Sequence, residues 1–332
     1  MKFLVVGLGS MGKRRIRNLQ YLNKKKILGF DLKNKRCKEA NKLYGIKTYN
    51  NFDKAIKIEK PDALIISTPP DKHYYYAKKG LKKKINSFLE VSIEKSEKVF
   101  KLAKYLDKLK VSIIPSCTMM YFAMPIKIKK LILKKKIGKV LNINYHTGQY
   151  LPDWHPWERI TDFYVSKKNT GACREIVPFE LTWLCDIFGL PKVKNSFKAK
   201  LSKLNTNIDD IYHFVLQFPK NVIANITIEV LSRPLPSREL VIIGSDGKIT
   251  YNESSKIIKY CNYKNSNIIK KYKVTQGKSY KGYINPERPY IDEMKDFLSA
   301  IKKNKTKKFP NNLFKDSKIL SVLEDIERKS KI

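Results

Sequence analysis

The sequence is 332 residues long, with 42% hydrophobic and 30% charged residues. This length fits two domains better than one hydrophobic core, and the composition is that of a globular protein rather than a disordered, fibrous or membrane-spanning one. The net charge is +39, but the lysines are spread along the whole chain without a helix-turn-helix, zinc-finger or RNA-platform motif. We therefore interpret them as a solvated surface and expect no nucleic-acid partner.

Cysteines and histidines give no sign of a disulfide framework or a metal site. The five cysteines are widely spaced without a CxxC pair, and the four histidines lack HxxxH and HExxH spacings. The first residues run into a glycine motif without a separate apolar signal segment, and no apolar run approaches the roughly 18 residues that span a bilayer. We expect a cytoplasmic protein without a membrane partner.

The first 120 residues alternate short apolar runs with amphipathic stretches. This is the pattern of parallel strands linked by crossover helices, and runs that are apolar on both faces indicate a sheet covered on both sides. We predict an α/β Rossmann domain with a doubly wound parallel sheet in residues 1–120. The predicted strands are Lys2–Val6, Ile27–Asp31, Ala63–Ser67, Ser87–Val91 and Val111–Pro115, and the predicted helices are Met11–Leu22, Lys35–Tyr44, Phe52–Ile58, Asp71–Lys79 and Lys95–Leu109.

A G-x-G-x-x-G motif lies between the first strand and the first helix. In such a motif the first glycine, here Gly7, permits a tight turn, the second, Gly9, lets the backbone approach a pyrophosphate, and the third, Gly12, lets the helix pack on the strand. The helix N-terminus at Ser10 and Met11 offers amide donors and a positive dipole to the phosphates. The motif in this context predicts a dinucleotide site.

Asp31 closes the second strand, about 20 positions after the motif. A carboxylate there can accept hydrogen bonds from both ribose hydroxyls of the adenosine and would repel a 2′-phosphate, so we expect NAD. Lys33 and Arg14 could soften this preference and admit NADP. The alternative is that Asp31 only caps the next helix.

The next strand on this side of the sheet ends in Ser67, Thr68 and Pro69, with His73 shortly after. Ligands of doubly wound folds bind at such strand ends, so we expect Ser67 and Thr68 to face the nicotinamide side of the cofactor. We include Pro69 and His73 in the predicted cofactor site. A packing or capping role for His73 is at least as compatible with the sequence.

The pattern changes after about residue 120. A helix at Met124–Lys136 and a strand at Val140–Tyr145 precede an aromatic loop, and a helix at Ala172–Phe188 follows it. Alternating apolar and polar residues from about 193 to 275 indicate antiparallel strands, including a hairpin turn at Pro219-Lys220-Asn221. We predict that residues 121–332 form an α+β substrate and oligomerisation domain. It has an open, mostly antiparallel sheet and two C-terminal helices, Tyr290–Lys302 and Leu313–Lys329.

The aromatic loop carries groups that suit a sugar. Aromatic faces flanked by carboxylates can contact the apolar faces and hydroxyl edges of a pyranose, and prolines pre-order the loop. Arg174, at the start of the following helix, could clamp a carboxylate or phosphate, or could pair structurally with Glu175. Packing of the loop on the sheet or between subunits is the alternative. The predicted substrate-binding residues are Tyr150, Asp153, Trp154, Trp157 and Arg174.

The glycine motif, the Thr68-Pro69-Pro70 turn with His73, the strand ending at Glu90 and the order of elements in the second half together resemble the glucose–fructose oxidoreductase/inositol dehydrogenase (Gfo/Idh/MocA) family. The resemblance covers essentially the whole chain. It implies NAD or NADP as cofactor, with Glu90 in the cofactor site. It also implies oxidation or reduction of a hydroxyl carbon of a sugar, sugar acid or nucleotide sugar, as in carbohydrate or surface-polysaccharide metabolism. Homodimers or homotetramers that pair through the open sheet are a further implication.

Two positions depart from the family pattern. The lysine that follows Glu90 in Glu-Lys-Pro is replaced by Val91, and the histidine four residues after the helix acid Glu175 is replaced by Phe179. Another group must therefore move the proton, and we predict His155 and Glu175 as catalytic residues, with Asp153 or Glu158 orienting His155. The alternative function is a dinucleotide-binding regulatory or scaffolding protein without hydride transfer.

Overall fold

The computed structural model describes residues 1–107, 109–156, 158–162, 164–264, 266–303 and 306–330. Its contacts divide the chain into two compact units. The first comprises residues 1–118 and 287–317, and the second comprises residues 119–286 and those from 318 onward. Among the described residues, no helix combines the length and the apolar character needed to cross a membrane.

The first unit contains a six-stranded parallel sheet in the order β3-β2-β1-β4-β5-β6, which confirms the predicted doubly wound Rossmann sheet. The two central strands, β1 and β4, are fully buried because their side chains are aliphatic or aromatic on both faces. The strands are β1 Phe3–Val6, β2 Ile27–Phe30, β3 Lys47–Tyr49, β4 Ala63–Ile66, β5 Asn86–Leu89 and β6 Ile113–Pro115. The helices are α1 Ser10–Tyr21, α2 Asn34–Tyr44, α3 Phe52–Glu59, α4 His73–Lys82, α5 Ser96–Leu106 and α8 Arg288–Lys302.

Strand β3 is absent from the sequence prediction. It is only three residues long and lies at the sheet edge, paired with β2 alone, and none of its residues is buried. A strand this short and polar carries no apolar run for a pattern to detect.

The second unit contains an eight-stranded sheet in the order β14-β13-β12-β11-β7-β10-β9-β8. Among the described residues of this sheet, β7 and β10 pair in parallel and the other neighbouring strands pair antiparallel, so the predicted mostly antiparallel sheet is confirmed. The predicted hairpin at Pro219-Lys220-Asn221 joins β9 to β10. The strands are β7 Val140–Gly148, β8 Lys192–Ala199, β9 Ile211–Phe218, β10 Val222–Glu229, β11 Ser237–Gly244, β12 Gly247–Asn252, β13 Ile257–Asn262 and β14 Ser266–Lys273. The helices are α6 Ala123–Leu133, α7 Ala172–Phe188 and most of α9 Leu313–Lys329.

The eight-stranded sheet is amphipathic across its central strands. Ile143 and Tyr145 of β7 and Ile226 of β10 lie on the face that packs under α7 and are at most 2% exposed. The residues between them along each strand, such as Asn144 and Thr227, lie on the opposite face and remain accessible. The pairing of Gly148 with Glu229 and Ser237 brings the ends of β7 and β10 and the start of β11 together, where the chain continues from β7 into the aromatic loop.

Candidate functional site

The glycine turn in the first unit is packed closely against the strands beside it. Gly7 has φ of +92°, and an added Cβ there would lie 2.7 Å from the carbonyl oxygen of Ser67. A Cβ on Gly12 would lie 1.8 Å from the carbonyl oxygen of Gly7, so the helix can follow the strand this closely only without a side chain. These two glycines are required by the fold itself.

Gly9 differs from its two neighbours. Its backbone is extended, with φ of −70°, and an added Cβ would meet nothing closer than the Arg36 guanidinium at 3.6 Å. The fold therefore leaves room for a side chain at Gly9, and its absence keeps open the space in front of the first turn of α1. The first amides of a helix have no intrahelical acceptor, so this space suits a pyrophosphate.

Asp31 is held next to this turn by two backbone amides. Its Oδ2 accepts from the amide of Leu8 and its Oδ1 from the amide of Lys33, both at 2.8 Å. The guanidinium of Arg36 lies 3.8 Å from Oδ2. The carboxylate is therefore fixed beside the glycine turn, with a cation at its edge that the sequence analysis missed.

Arg14 points elsewhere. It is 3% exposed, pairs with Glu287 at 3.0 Å and lies over the ring of Tyr290. The sequence suggested Arg14 as a cation beside Asp31, but Arg14 is buried against α8. The guanidinium near the Asp31 carboxylate belongs to Arg36 of α2.

At the ends of β4 and β5, buried polar groups fix the backbone. His73 is 1% exposed and its Nε2 donates to the carbonyl of Thr68 at 2.7 Å, which secures the turn through Pro69. Burial lowers the pKa of His73 to about 4, so the imidazole stays neutral. Ser67 donates to Glu90 at 3.3 Å.

Glu90 belongs to a buried ion network. Arg15 is fully buried and binds Glu90 through Nε at 2.6 Å and Glu293 of α8 through Nη2 at 2.9 Å. Burial alone would lower the pKa of Arg15, but the two carboxylates raise it above its ordinary value. Glu293 also accepts from the hydroxyls of Ser116 and Thr118. The network connects α1, α8 and the ends of β5 and β6. Its member Glu90 directly precedes Val91 in the sequence.

In the second unit, the aromatic loop begins with Tyr150. Its ring lies under the guanidinium of Arg233, 4.8 Å from the centroid, and its carbonyl accepts from the amide of Asp153. The Asp153 side chain is exposed, and the buried indole Nε1 of Trp154 has no hydrogen-bond partner among the described residues. Trp157 lies outside the described residues.

His155 and Glu175 occupy separate hydrogen-bonded pairs. His155 Nδ1 lies 3.1 Å from Glu158 Oε2, as expected for an oriented imidazole. The phenol of Tyr164 donates to both carboxylate oxygens of Glu175, at 3.1 and 2.8 Å. Tyr164 belongs to no sequence motif, so its contact with Glu175 could be found only in the folded structure.

Arg174 forms an ion pair with a carboxylate of α9. It binds Glu327 of α9 through Nε at 2.6 Å and the carbonyl of Asn169 at 2.9 Å. Both contacts lie within the second unit, and they orient the guanidinium toward α9.

The end of the eight-stranded sheet is secured by Glu229. Its carboxylate accepts from the amides of Leu231 and Ser232, from the Ser232 hydroxyl and from His146 Nε2 at 3.0 Å. An added Cβ on Gly148 would collide with this carboxylate at 1.4 Å. The hydrogen bond to Glu229 raises the pKa of His146. Glu229 therefore fixes the turn that follows β10 beside the start of the aromatic loop.

Metal-binding groups do not gather in the part of the chain that the structure describes. No three His, Cys, Asp or Glu side chains there are close enough to hold an ion together. Among the carboxylates above, Glu90 binds an arginine, Glu175 a phenol, and Asp31 and Glu229 backbone amides.

Two models of one protein family match the chain. The first, described as an oxidoreductase family with an NAD-binding Rossmann fold, matches residues 1–114, and the second, the C-terminal domain of the Gfo/Idh/MocA family, matches residues 126–250. Together they cover more than two thirds of the sequence. A search of curated proteins found no match.

Solved structures share the fold over nearly the full length. An oxidoreductase from Agrobacterium radiobacter in complex with NAD⁺, L-tartaric acid and magnesium has a TM-score of 0.85 at 10% identity, covering 99% of this chain and 96% of its own. Levoglucosan dehydrogenase in complex with NADH and levoglucosan has a TM-score of 0.81 at 13% identity, covering 99% and 97%. An NAD-binding oxidoreductase from Klebsiella pneumoniae has a TM-score of 0.80 at 13% identity, covering 99% and 97%. At these identities the likeness establishes the fold.

Proposed function

This chain belongs to the Gfo/Idh/MocA oxidoreductase family, with an NAD-binding Rossmann domain, and on that premise we propose that it is an NAD(P)-dependent oxidoreductase acting on a hydroxyl carbon of a sugar-like compound. The observation that carries the proposal is the open space at Gly9 beside a carboxylate, Asp31, that two amides hold in place. The residues fit a dinucleotide, with the pyrophosphate at the first turn of α1 and the adenosine ribose at Asp31.

When bound, the nicotinamide ring accepts or donates a hydride. The protein must then remove or supply the hydroxyl proton, and Val91 and Phe179 cannot do so. The Glu175 carboxylate can receive a proton through the Tyr164 phenol that donates to it. The His155 imidazole, oriented by Glu158, is the second candidate. Tyr150 and Trp154 supply aromatic faces suited to a sugar ring.

The experiment measures nicotinamide absorbance with purified protein against a panel of sugars, sugar acids and nucleotide sugars. We expect His155→Ala or Glu175→Gln to lower kcat by roughly 10²-fold or more, the usual scale for loss of a general acid or base. Tyr164→Phe should match Glu175→Gln if the phenol relays the proton. The control is Glu97→Gln, an exposed carboxylate of α5 paired with Lys101. Wild-type rates in all three site variants would exclude these residues.

A second candidate function rests on the same two substitutions. Because Val91 and Phe179 replace the family's lysine and histidine, the chain could bind the dinucleotide as a regulatory or scaffolding protein without hydride transfer. That function predicts tight cofactor binding by calorimetry with no change of absorbance for any member of the panel.

A further inference from the structure

The end of the eight-stranded sheet presents an arginine that the oxidoreductase proposal does not use. Arg233 follows β10 and its side chain is exposed, with the guanidinium carbon 4.8 Å from the centroid of the Tyr150 ring and Nη1 3.5 Å from the Tyr150 hydroxyl. A guanidinium stacked on an aromatic face keeps its N–H edge available for hydrogen bonding.

The backbone around Arg233 is fixed rather than loose. Glu229 holds the amides of Leu231 and Ser232, so the turn leading to Arg233 is defined by a buried carboxylate. The amide of Leu151 donates to the carbonyl of Val230 at 3.1 Å, which joins this turn to the aromatic loop. The turn that carries Arg233 and the loop that carries Tyr150 are therefore fixed relative to each other.

Arg233 differs from the other stacked arginines of the described residues in its carboxylate partners. Arg14, Arg15 and Arg238 also lie over aromatic rings, and each pairs with a carboxylate: Glu287, Glu90 and Glu180 respectively. No described carboxylate lies within ion-pair distance of Arg233. The nearby Glu229 is already saturated by two amides, a hydroxyl and His146.

We propose that Arg233, stacked on Tyr150, binds an anionic substituent of the substrate, a carboxylate or a phosphate. The inference rests on the proposed function, since it takes Tyr150 as part of the sugar site. An arginine fork binds either anion through two parallel hydrogen bonds, and an exposed cation without a carboxylate partner does not have to break an ion pair first. The substrate class is thus acidic sugars, sugar phosphates or nucleotide sugars rather than neutral sugars.

The test uses calorimetry on the full-length protein with matched ligands: glucose, glucuronate, glucose 6-phosphate, UDP-glucose and UDP-glucuronate. We expect at least one anionic ligand to bind 10-fold or more tightly than glucose. Arg233→Gln should abolish that preference, and Arg233→Lys should retain part of it. Tyr150→Leu, which removes the ring, should weaken the same ligand by several-fold. The glucuronate and glucose 6-phosphate arms distinguish a carboxylate from a phosphate.

The control is Arg328→Gln, an exposed arginine of α9 paired with Asp325, which should leave binding unchanged. The inference is overturned if wild type binds none of the anionic ligands or does not prefer them, or if Arg233→Gln keeps the preference. Turnover assays separate it from the proposed function. NAD reduction with neutral sugars alone would support the oxidoreductase function and contradict the anion site. Arg233-dependent binding of an anionic ligand without turnover would support the anion site and contradict the oxidoreductase function.

Discussion

Asp31 and Arg36 have opposite electrostatic effects on the 2′ position of the adenosine ribose that we expect to bind beside them. The carboxylate favours two ribose hydroxyls, and the guanidinium 3.8 Å away can offset its repulsion of a 2′-phosphate. We predict that wild type binds NAD more tightly than NADP, that Asp31→Ala lowers NAD affinity about 10-fold, and that Arg36→Ala weakens NADP more than NAD. Calorimetry with both dinucleotides gives the ratios, with Asp53→Ala as an exposed control. An unchanged ratio in Asp31→Ala would exclude the ribose contact.

Asp316 is a buried carboxyl that makes stability depend on pH. Burial raises its pKa to about 7, although hydrogen bonds from Tyr74 and Asn311 partly oppose the shift. The folded protein therefore keeps a proton between about pH 4 and 7 that the unfolded chain releases, so this group's contribution to the unfolding free energy falls as pH rises through that window.

Asp316→Asn removes the titrating group and should flatten the pH dependence. We expect the stability of Asp316→Asn relative to wild type to be higher at pH 7.5 than at pH 4.5, measured by urea unfolding at both values. Asp53→Asn, on an exposed side chain, should show no such difference. Parallel pH profiles for Asp316→Asn and wild type would refute the assignment.

Single residues differ in how far the sequence reveals them. The position of Asp31 directly after β2 was predictable, because the apolar run before it marks a strand, while its contact with a ribose stays a prediction. Arg36 was not, because its relevance depends on the side chain reaching back along α2 toward Asp31. Tyr164 and Arg233 lie in irregular segments, where contacts with Glu175 and Tyr150 follow from the folded path and not from spacing.

Strands and helices were predictable where burial imposes a periodicity. The helix at Ala172–Phe188 agrees with its prediction at both ends because Gly171 and Gly189 bound an apolar pattern. The edge strand β3 was missed because it is short and polar. The network of Arg15, Glu90 and Glu293 was also invisible, since its members come from α1, the end of β5 and α8.

The glycine turn before α1 offers a matched pair of substitutions at the scale of one element. A Cβ fits at Gly9 but would lie 1.8 Å from a carbonyl oxygen at Gly12. We predict that Gly9→Val keeps the fold and loses cofactor affinity by 10-fold or more, because the side chain fills the space for the pyrophosphate. Gly12→Val should lower the melting temperature by several degrees or prevent folding.

Circular dichroism and calorimetry on both variants separate the two effects. Undiminished NAD affinity in a folded Gly9→Val protein would remove the dinucleotide site from this turn. A Gly12→Val protein as stable as wild type would contradict the close packing of α1 on its strand.

At the scale of the whole molecule, the proposed oligomer depends on the accessible face of the eight-stranded sheet. In register across β10, β7 and β11 lie Asn225, Asn144 and Val241 on one row and Thr227, His146 and Glu239 on the next. Ile243, further along β11, is 41% exposed. A second copy of the chain packed on this face would bury the same patch of both copies across a two-fold axis.

We propose that the chain forms a homodimer or homotetramer through this face, and Val241→Lys tests it. Because a two-fold interface brings the same patch of both copies together, each substitution places two added cations in it, in a chain whose net charge is already +39. We expect sedimentation velocity to show a dimer or tetramer for wild type and a monomer for Val241→Lys. NAD affinity should be retained, since the cofactor residues belong to the first unit. Ile58→Lys, an exposed position on α3, is the matched control and should sediment like wild type. A monomeric wild type, or a Val241→Lys protein that still sediments as the oligomer, would exclude this face as the interface.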